Sequence, residues 1–346
     1  MKATRIGVIG VGLMGERHCR VYANLRGVEL VGVYDANSVR GREIADKYDV
    51  RTFDSPAALL REVDGVTIAT PTPVHFDLAM ESIAAGAHTL IEKPMALTLE
   101  QGRVLVEVAR ASGLAVQVGH IERFNPGYIE LKNVADDLPV VAITIRRLNS
   151  FDASNTDVDV INDLMLHDID LLLNLVGQPV EGLSAYGRSM RNGAIDHAVA
   201  NFGFRDGPIA TLIASRVTQQ KVRTVDITAR NAYVEGDLLN KSLTIHRRVF
   251  GEYLNTTLHK YRQESVIEQI YIPAAEPLML QLQHFIGCIR EKRKPDVSPE
   301  DGLRAMQVAA EIAHSIRSTS PLQDATGGNT LERTLVFDGL RAVPQG

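Results

Sequence analysis

Residues 162–170 (Asn-Asp-Leu-Met-Leu-His-Asp-Ile-Asp) combine one histidine and three aspartates with aliphatic side chains, and a leucine-rich run follows. Around a helix, at ~100° per residue, four polar side chains here fall within roughly 60° of one another. These four are Asp163, His167, Asp170 and Asn174. Because ionisable groups are costly to bury without partners, this narrow stripe on an otherwise apolar helix is expected to face a pocket, where a histidine is suited to proton transfer.

The polar stripe also fits an ordinary helix end. Acids are favoured near a helix N-terminus, and Asp163 and His167 have the spacing of an i,i+4 pair. A metal site formed by His167, Asp168 and Asp170 is disfavoured, because no second histidine or cysteine cluster supports it. The choice between a pocket and a plain helix end depends on the rest of the chain.

A glycine-rich motif, Gly10-Val-Gly12-Leu-Met-Gly15, lies between a short β-rich run and a helical pattern. This arrangement lets the backbone turn tightly and approach a pyrophosphate at the N-terminus of the helix. Glycine loops also simply join strands to helices, but here an acid follows at the spacing expected for dinucleotide binding. The sequence therefore predicts a cofactor site that includes Gly10, Gly12, Leu13 and Met14.

That acid is Asp35, which ends the second predicted strand twenty positions after Gly15. A carboxylate there accepts hydrogen bonds from the adenosine ribose hydroxyls. It favours NAD over NADP, since a 2′-phosphate would lie against a negative charge. Arg40 and Arg42 follow closely in the sequence, so NADP remains the less favoured alternative.

Lys93 lies in the tripeptide Glu92-Lys93-Pro94, at the end of a predicted strand. In a doubly wound sheet, ligands bind beyond the carboxyl ends of the strands, so this lysine is expected at the cofactor crevice. A lysine there can donate or accept a proton, especially if partial burial lowers its pKa. The alternative is a surface lysine at a strand end, paired with Glu92.

The bulk properties of the chain limit its class. It has 346 residues, of which 45% are hydrophobic and 23% charged, as in soluble globular proteins of more than one domain. A net charge of −5 provides no global basic field for nucleic acid or an anionic membrane. Cys19 and Cys288 match no metal or disulfide pattern, and no stretch approaches the ~20 apolar residues that span a bilayer. We therefore expect a cytoplasmic protein without a nucleic-acid or membrane partner.

Residues 5 to about 120 alternate short β-rich runs with helical ones. Such alternation indicates βαβ units and a doubly wound parallel sheet. The sequence predicts an α/β protein whose residues 1–122 form a dinucleotide-binding Rossmann domain. The predicted strands are 5–10, 29–35, 65–70, 88–93 and 114–120, and the helices are 16–25, 38–48, 74–85 and 98–112.

Beyond residue 123 the pattern changes. Strand-like runs between 181 and 272 follow one another without intervening helices, which implies an antiparallel sheet. Residues 123–346 are predicted to form an α+β domain for substrate binding and oligomerisation, with a large, mostly antiparallel, open-faced sheet and helices at 277–291 and 299–317. Several strands, such as 209–215, are apolar on both faces, so we expect a homodimer or homotetramer joined through this sheet.

Taken together, these motifs resemble the glucose–fructose oxidoreductase, inositol dehydrogenase and MocA family. That family has the glycine motif, then Ala-Thr-Pro with a histidine, then Glu-Lys-Pro, then Asp-x-x-x-His on a helix of the second domain. The corresponding residues here are Ala69-Thr70-Pro71 with His75, Glu92-Lys93-Pro94, and Asp163 with His167. The resemblance covers nearly the whole chain. It implies an NAD-dependent oxidoreductase, with Thr70, His75, Glu92 and Lys93 at the cofactor and a Lys–Pro bond that is often cis.

The resemblance also implies roles for three residues at the nicotinamide pocket. His167 would act as general base on a sugar hydroxyl, and Lys93 would hydrogen-bond the same oxygen and steady its developing negative charge. Asp163 would orient the imidazole or favour its protonated form. Whether Lys93 or His167 takes the proton is left open by the sequence.

Two segments, 118–127 and 152–171, resemble more narrowly the branch that oxidises the 3-hydroxyl of UDP-N-acetylglucosamine or related UDP-amino sugars. In that branch His120, Arg123 and Asn125 would contact the substrate together with Lys93, Asp163 and His167. His120 and Arg123 are equally suited to an interdomain hinge contact. A basic group should meet the diphosphate; the candidates, each of which is otherwise a solvated strand charge, are Lys221, Arg223 and Arg216.

Two alternative functions are compatible with the motifs. One is a dehydrogenase of free polyols or sugars such as inositol or glucose. The other is a regulator that binds NAD without turnover, which the presence of Lys93, Asp163 and His167 together disfavours, since a sensor needs no proton acceptor beside the nicotinamide.

Overall fold

The computed structural model of the protein describes residues 3–150, 158–190, 193–253 and 260–319, and its first β-sheet forms from the N-terminal part. This sheet is parallel throughout, and the chain moves outward to one edge before it returns to extend the other side. Its strands are β1 (Thr4–Ile9), β2 (Val28–Tyr34), β3 (Arg51–Thr52), β4 (Gly65–Ile68), β5 (His88–Glu92) and β6 (Val116–Gly119). Their order β3-β2-β1-β4-β5-β6 is doubly wound, which confirms the prediction and opens a crevice above the carboxyl ends of β1 and β4.

The helices between these strands are α1 (Leu13–Tyr22), α2 (Ser38–Tyr48), α3 (Pro56–Leu60), α4 (His75–Ala84) and α5 (Leu99–Ser112). Helix α1 begins three residues earlier than predicted, because Gly12 already serves as its N-cap. The sequence prediction missed β3 and α3. They contain two and five residues, too few for a hydrophobic period to be visible.

The second sheet has eight strands, and the prediction that it is mostly antiparallel is confirmed. The strands are β7 (Val140–Leu148), β8 (Val180–Arg188), β9 (His197–Phe204), β10 (Ile209–Ser215), β11 (Val222–Ala229), β12 (Ala232–Asp237), β13 (Ser242–Tyr253) and β14 (Lys260–Ile270). Their order is β14-β13-β12-β11-β7-β10-β9-β8, in which β7 and β10 run parallel and the other described neighbours antiparallel. The last two strands have 12 and 11 residues.

The α-helices described after the first sheet are α6 (Pro126–Asp136), α7 (Leu166–Val176), α8 (Pro277–Glu291) and α9 (Pro299–Thr319). One face of the second sheet is buried with residues of α7 and α9 in a common core, to which Phe202, Leu172 and Ile312 belong. On the other face the side chains of Tyr186 and Tyr233 are 60% and 38% exposed. The sheet is therefore open on one side, as predicted.

The C-terminal helices connect the two sheets. Helix α8 packs into the core of the first sheet through Leu282 and Phe285. Helix α9 contributes Met306 to a core beneath β5 and β6 and Ile312 to the core of the second sheet. We propose that the division after residue 122 separates the two sheets, with α8 and α9 joining them. The end of the second predicted domain, 320–346, and residues 152–157 of the segment that carries the narrower resemblance lie outside the described residues.

The predicted polar-stripe helix is not one continuous α-helix. Residues Ile161–Met165 form a π-helical turn, and α7 follows from Leu166. A π-turn holds more residues than an α-turn, so the helical wheel that aligned Asp163 with His167 does not apply across this junction. Such turns are frequent at functional sites. Among the described residues, no helix is long and apolar enough to cross a membrane.

Candidate active site

The glycine loop after β1 is shaped by close backbone contacts. Gly10 has φ +83°, and a Cβ there would lie 2.6 Å from Thr70 Cγ2. A Cβ on Gly15 would lie 1.8 Å from the carbonyl oxygen of Gly10. Gly12 differs, because a Cβ there would meet nothing within 4 Å. The loop thus leaves an open cradle at the N-terminus of α1, which fits the approach of a cofactor pyrophosphate.

Asp35 is held by this loop. Its Oδ2 accepts a hydrogen bond from Val11 N at 2.8 Å, and its Oδ1 accepts one from Asn37 N at 2.8 Å. Each carboxylate oxygen retains a lone pair for a ribose hydroxyl. Arg40 is engaged elsewhere: its Nε donates to Val11 O at 3.0 Å and its Nη2 to Glu16 Oε2 at 2.5 Å.

The loops after β4 and β5 are joined by His75, whose ring is 1% exposed. Its Nδ1 lies 2.8 Å from Pro94 O and its Nε2 lies 2.7 Å from Thr70 O. Both ring nitrogens are therefore occupied by backbone oxygens, so the ring holds the crevice in shape and presents no nitrogen to a cofactor. Thr70 Oγ1, by contrast, is buried and has no hydrogen-bond partner within the described chain, which fits a polar group of a bound dinucleotide.

Lys93 connects the two halves of the crevice. Its Nζ donates to the backbone oxygen of Asp163 in the π-turn at 2.9 Å, and its peptide bond to Pro94 is cis. Burial lowers the pKa of the Lys93 ammonium, while the negative charges of Asp163 and Glu92 act in the opposite direction. The lysine thus lies between the cofactor loop and the helix that carries the polar stripe.

His167 lies on the first turn of α7 and is partly exposed. Burial lowers the pKa of its imidazole well below the usual range, and the nearby positive charges of Lys93 and Arg147 lower it further. Its Nδ1 is buried and finds no hydrogen-bond partner in the described residues. A neutral imidazole at this position is able to accept a proton.

Arg123 is engaged by residues of the second sheet's domain. Its Nε and Nη2 donate to the two carboxylate oxygens of Asp170 at 2.8 and 2.7 Å, and its Nη1 donates to Asp296 O at 3.3 Å. His120 Nε2 lies 3.9 Å from the same aspartate. Arg123 thus has protein partners, with Asp170 of the polar stripe as the main one, and a substrate contact by Arg123 remains a prediction.

Asn125 is also engaged within the protein. Its Oδ1 accepts from Gly127 N at 3.0 Å at the start of α6, and its Nδ2 donates to Glu122 Oε2 at 3.1 Å and Leu238 O at 3.2 Å. A substrate contact by His120 or Asn125 remains a prediction, but for Asn125 the amide already has protein partners at both ends.

A buried ion network lies behind His167, and the sequence motifs did not indicate it. Arg147, 2% exposed, donates from Nε to Asp168 Oδ1 at 2.8 Å and from Nη1 to Glu122 Oε1 at 2.9 Å. One feature of the sequence could have indicated it. Arg147 follows Ile143 and Ile145 at alternate positions, on the buried face of β7. A charge on the apolar face of a strand indicates a buried partner.

The three basic residues considered for a diphosphate differ in their surroundings. Arg216 is 4% exposed and donates to Asp196 Oδ1 and Val158 O, each at 2.6 Å, so it is part of the protein framework. Lys221 is exposed. Arg223 has a side chain 28% exposed; its Nη1 donates to Glu122 Oε1 at 3.0 Å, and no partner for its buried Nε occurs in the described ranges.

Comparisons with known proteins give matches over most of the chain. A model described as an oxidoreductase family with an NAD-binding Rossmann fold matches residues 4–120, and a GFO/IDH/MocA C-terminal domain model matches residues 144–235. A UDP-N-acetylglucosamine 3-dehydrogenase from Acidithiobacillus ferrooxidans is 33% identical to this chain over 91% of its length and 97% of that protein's. A solved structure of such an enzyme from the same organism has a TM-score of 0.82 and covers 92% of this chain and 99% of that one.

More distant relatives act on cyclic polyols. An NAD-dependent scyllo-inositol 2-dehydrogenase from Bacillus subtilis is 25% identical, with 92% of this chain and 96% of that protein covered. A solved myo-inositol 2-dehydrogenase from Lactobacillus plantarum has a TM-score of 0.76 at 21% identity, over 92% of this chain and 98% of that one, and so shares the fold.

Proposed function

The chain belongs to the glucose–fructose oxidoreductase, inositol dehydrogenase and MocA family of NAD-binding oxidoreductases, and we propose that it oxidises the 3-hydroxyl of UDP-N-acetylglucosamine or a related UDP-amino sugar. The main support for the proposal is the hydrogen bond from Lys93 to the π-turn beside His167. This contact brings a cationic donor and a neutral base to the carboxyl ends of the strands, where the glycine loop leaves room for a dinucleotide.

His167 is proposed as the general base. With its pKa held low, the ring is neutral at physiological pH and takes the proton of the sugar hydroxyl as the carbon loses hydride. Bound NAD would supply the hydride acceptor. Lys93 donates a hydrogen bond to the same oxygen and stabilises the negative charge that develops on it. Asp163 contributes the backbone oxygen that orients the lysine, and its charge favours the ammonium form.

We propose NAD rather than NADP as the preferred cofactor. The Asp35 carboxylate is fixed by two backbone amides at the end of β2, where it would accept from ribose hydroxyls and repel a 2′-phosphate. Arg40, one of the two arginines considered for such a phosphate, is engaged by Glu16 and Glu43. Gly10, Gly12, Leu13, Met14 and Thr70 are proposed to line the rest of the cofactor site.

A nucleotide sugar requires a cation for its diphosphate, and Arg223 is the best placed of the three candidates. It lies opposite Arg147 on the neighbouring strand, and the two guanidinium groups share one carboxylate oxygen of Glu122. Arg147 has Asp168 as a second partner, whereas the side chain of Arg223 is partly exposed and its buried Nε has no partner in the described ranges. Its charge reaches the site, because it contributes to the low pKa of His167.

The open face of the second sheet is the proposed oligomer interface, joining a homodimer or homotetramer. Tyr186, Ile209 and Tyr233 are 60%, 65% and 38% exposed on the strands of this sheet. Exposed aromatic and aliphatic side chains on one sheet are typical of surfaces that associate. Sedimentation measurements on the protein at several concentrations would test this part of the proposal.

The function is tested by NADH formation when the protein and NAD meet UDP-N-acetylglucosamine, with UDP-glucose, glucose and inositol alongside. We expect turnover with the UDP-amino sugar. Turnover only with a free polyol would move the substrate to the alternative class and keep the oxidoreductase chemistry. A parallel set contains a 2-oxo acid acceptor, so that NADH retained by the protein is also detected. Tight NAD binding without any turnover in either set would favour the sensor alternative.

A further inference from the structure

A buried histidine and a buried glutamate lie directly behind Lys93. His18, on α1, is 0% exposed, and its Nε2 is 2.9 Å from Glu92 Oε1. Glu92 is the last residue of β5 and is 9% exposed. Its Oε2 accepts a hydrogen bond from the backbone nitrogen of Lys93 at 3.3 Å. The pair therefore links the helix of the glycine loop to the strand end that carries the lysine.

The two ring nitrogens of His18 have different surroundings. His18 Nδ1 is buried and lacks a hydrogen-bond partner in the described segments. An imidazolium would leave a charged N–H donor unsatisfied there, whereas the neutral ring leaves only an unused acceptor. The geometry thus lets His18 donate from Nε2 to the Glu92 carboxylate.

The carboxylate of Glu92 has little freedom to move. A Cβ on Gly119, in the neighbouring strand β6, would lie 2.9 Å from the carboxyl carbon of Glu92, so the group is packed against the β6 backbone. Helix α1 is held over the sheet by a hydrogen bond of 2.8 Å between Tyr22 Oη and Thr67 Oγ1. Burial alone would raise the pKa of the Glu92 carboxyl, but the hydrogen bond and electrostatic attraction to His18, together with the Lys93 charge, outweigh burial and lower it.

Several charged and titratable groups face Lys93. The negative ones are Glu92 behind it and Asp163 in the π-turn, and the positive one is Arg147 on β7. The rings of His120 and His167 also lie within range of its charge. Burial and Arg147 disfavour the ammonium form, so its retention depends on the two carboxylates.

We propose that His18 and Glu92 are a positioning pair for Lys93, in which the His18 N–H fixes a buried carboxylate as the counter-charge that keeps the lysine protonated and directed at the Asp163 carbonyl. Neither residue touches the reacting hydroxyl. The inference rests on the proposed function only for the role of Lys93 in turnover. The effect of the His18–Glu92 pair on the charge of the lysine does not depend on the substrate.

The test measures the reactivity of Lys93 directly. The protein is treated with a trace of acetic anhydride across a pH series, and acetylation of Lys93 is quantified by peptide mass spectrometry. Only the neutral amine reacts, so a lower pKa appears as faster labelling at a given pH. In Glu92→Gln, which keeps the shape and removes the charge, labelling at neutral pH should rise about tenfold.

Variants of His18 separate the hydrogen bond from simple burial. His18→Leu removes the hydrogen-bond donor, so the buried Glu92 carboxylate should become neutral more easily. Labelling of Lys93 should then rise as in Glu92→Gln. His18→Gln can place an amide N–H near the position of Nε2, so labelling of Lys93 in this variant should be close to that of the wild type. If Glu92→Gln does not fold, His18→Leu carries the same test, and thermal unfolding of each variant reports its integrity.

His88→Gln is the matched control. His88 lies at the opposite end of β5, where its Nδ1 accepts from Ala115 N at 2.9 Å, so its loss perturbs the same strand away from the crevice. This variant should leave Lys93 labelling unchanged. Unchanged labelling in Glu92→Gln, or an equal change in His88→Gln, would overturn the inference. Failure of the proposed sugar oxidation would leave these labelling results unaffected, so the two proposals can fail separately.

Discussion

The two walls of the crevice are built differently. The cofactor wall, made by the loops after β1, β4 and β5, is held by contacts to the backbone: Asp35 binds Val11 N, and His75 binds Thr70 O and Pro94 O. The substrate wall, made by α7, β7, β11 and the short turn Ile121–Phe124, is held by side-chain ion pairs. Those pairs need matched residues on several distant segments.

This difference has a consequence for substitutions. A backbone partner is present whatever the sequence, so the glycines and a small number of side chains, such as Asp35 and His75, specify most of the cofactor wall. A buried ion network loses its balance when any member is removed, because the remaining charge stays buried without a partner. We therefore expect substitutions on the cofactor wall to weaken ligand binding, and those on the substrate wall to affect catalysis and folding stability.

The largest expected effect is on catalysis. His167→Ala should lower kcat by about 10²–10⁴, since a positioned general base contributes that much to a proton transfer. NAD affinity, measured by titration calorimetry, should stay within about twofold, because His167 belongs to the substrate wall. His246→Ala, on a paired but distant histidine of β13, is the control and should keep wild-type kcat. An equal loss of NAD affinity and kcat in His167→Ala would contradict the division between the walls.

The next effect is on stability. Arg147→Met should lower the free energy of unfolding by about 3–5 kcal/mol, because Asp168 is left buried and Glu122 loses one of its two arginines. Arg146→Met is a close control: the neighbouring residue has a side chain 45% exposed and lies 3.7 Å from Asp226. It should change stability by no more than about 0.5 kcal/mol. Chemical denaturation of both variants measures the difference.

The same contrast explains what the sequence could predict. The doubly wound sheet and its glycine loop follow from short-range patterns: the alternation of strands and helices, and Asp35 at the end of β2. Arg147 and Glu122 were missed because their pairing depends on how β7, α7 and the turn at Ile121–Phe124 pack. The π-turn was missed for a related reason. The periodicity of the sequence indicates a helix, but it does not reveal the contact with Lys93 that accompanies the π-turn.

The cofactor wall offers a test with an intermediate effect. In Gly12→Val the new side chain enters space that the structure leaves open, so the free energy of unfolding should stay nearly unchanged. NAD affinity should fall by about tenfold to hundredfold, because the side chain occupies the proposed pyrophosphate position. Gly15→Ala is the contrasting variant, since its Cβ would meet the Gly10 oxygen and should destabilise the fold itself. Unchanged NAD affinity in Gly12→Val would place the pyrophosphate elsewhere.

Arg223 tests whether the substrate wall also selects the substrate. Arg223→Gln should raise KM for UDP-N-acetylglucosamine about tenfold, the effect of losing a charged hydrogen bond, and should weaken the salt dependence of KM. Lys221→Gln, an exposed lysine two residues earlier, should change KM little. A free polyol, if it is turned over at all, should show no difference between Arg223→Gln and the wild type. An equal effect on charged and uncharged donors would remove Arg223 from diphosphate recognition.

The smallest expected effect is on the pH dependence of turnover. The pKa of His167 is lowered by burial and by neighbouring positive charges, so the folded ring stays neutral at pH values where an exposed histidine is already protonated. With His167 as the base, kcat should still be at its plateau at pH values near the ordinary histidine pKa of about 6.5. It should fall only at lower pH. Arg223 is one of the charges that lower this pKa, so Arg223→Gln at saturating substrate should move the acid limb of the kcat profile to higher pH. An acid limb that stays in place would mean that a group other than His167 controls the profile, and Lys93 would become the candidate base.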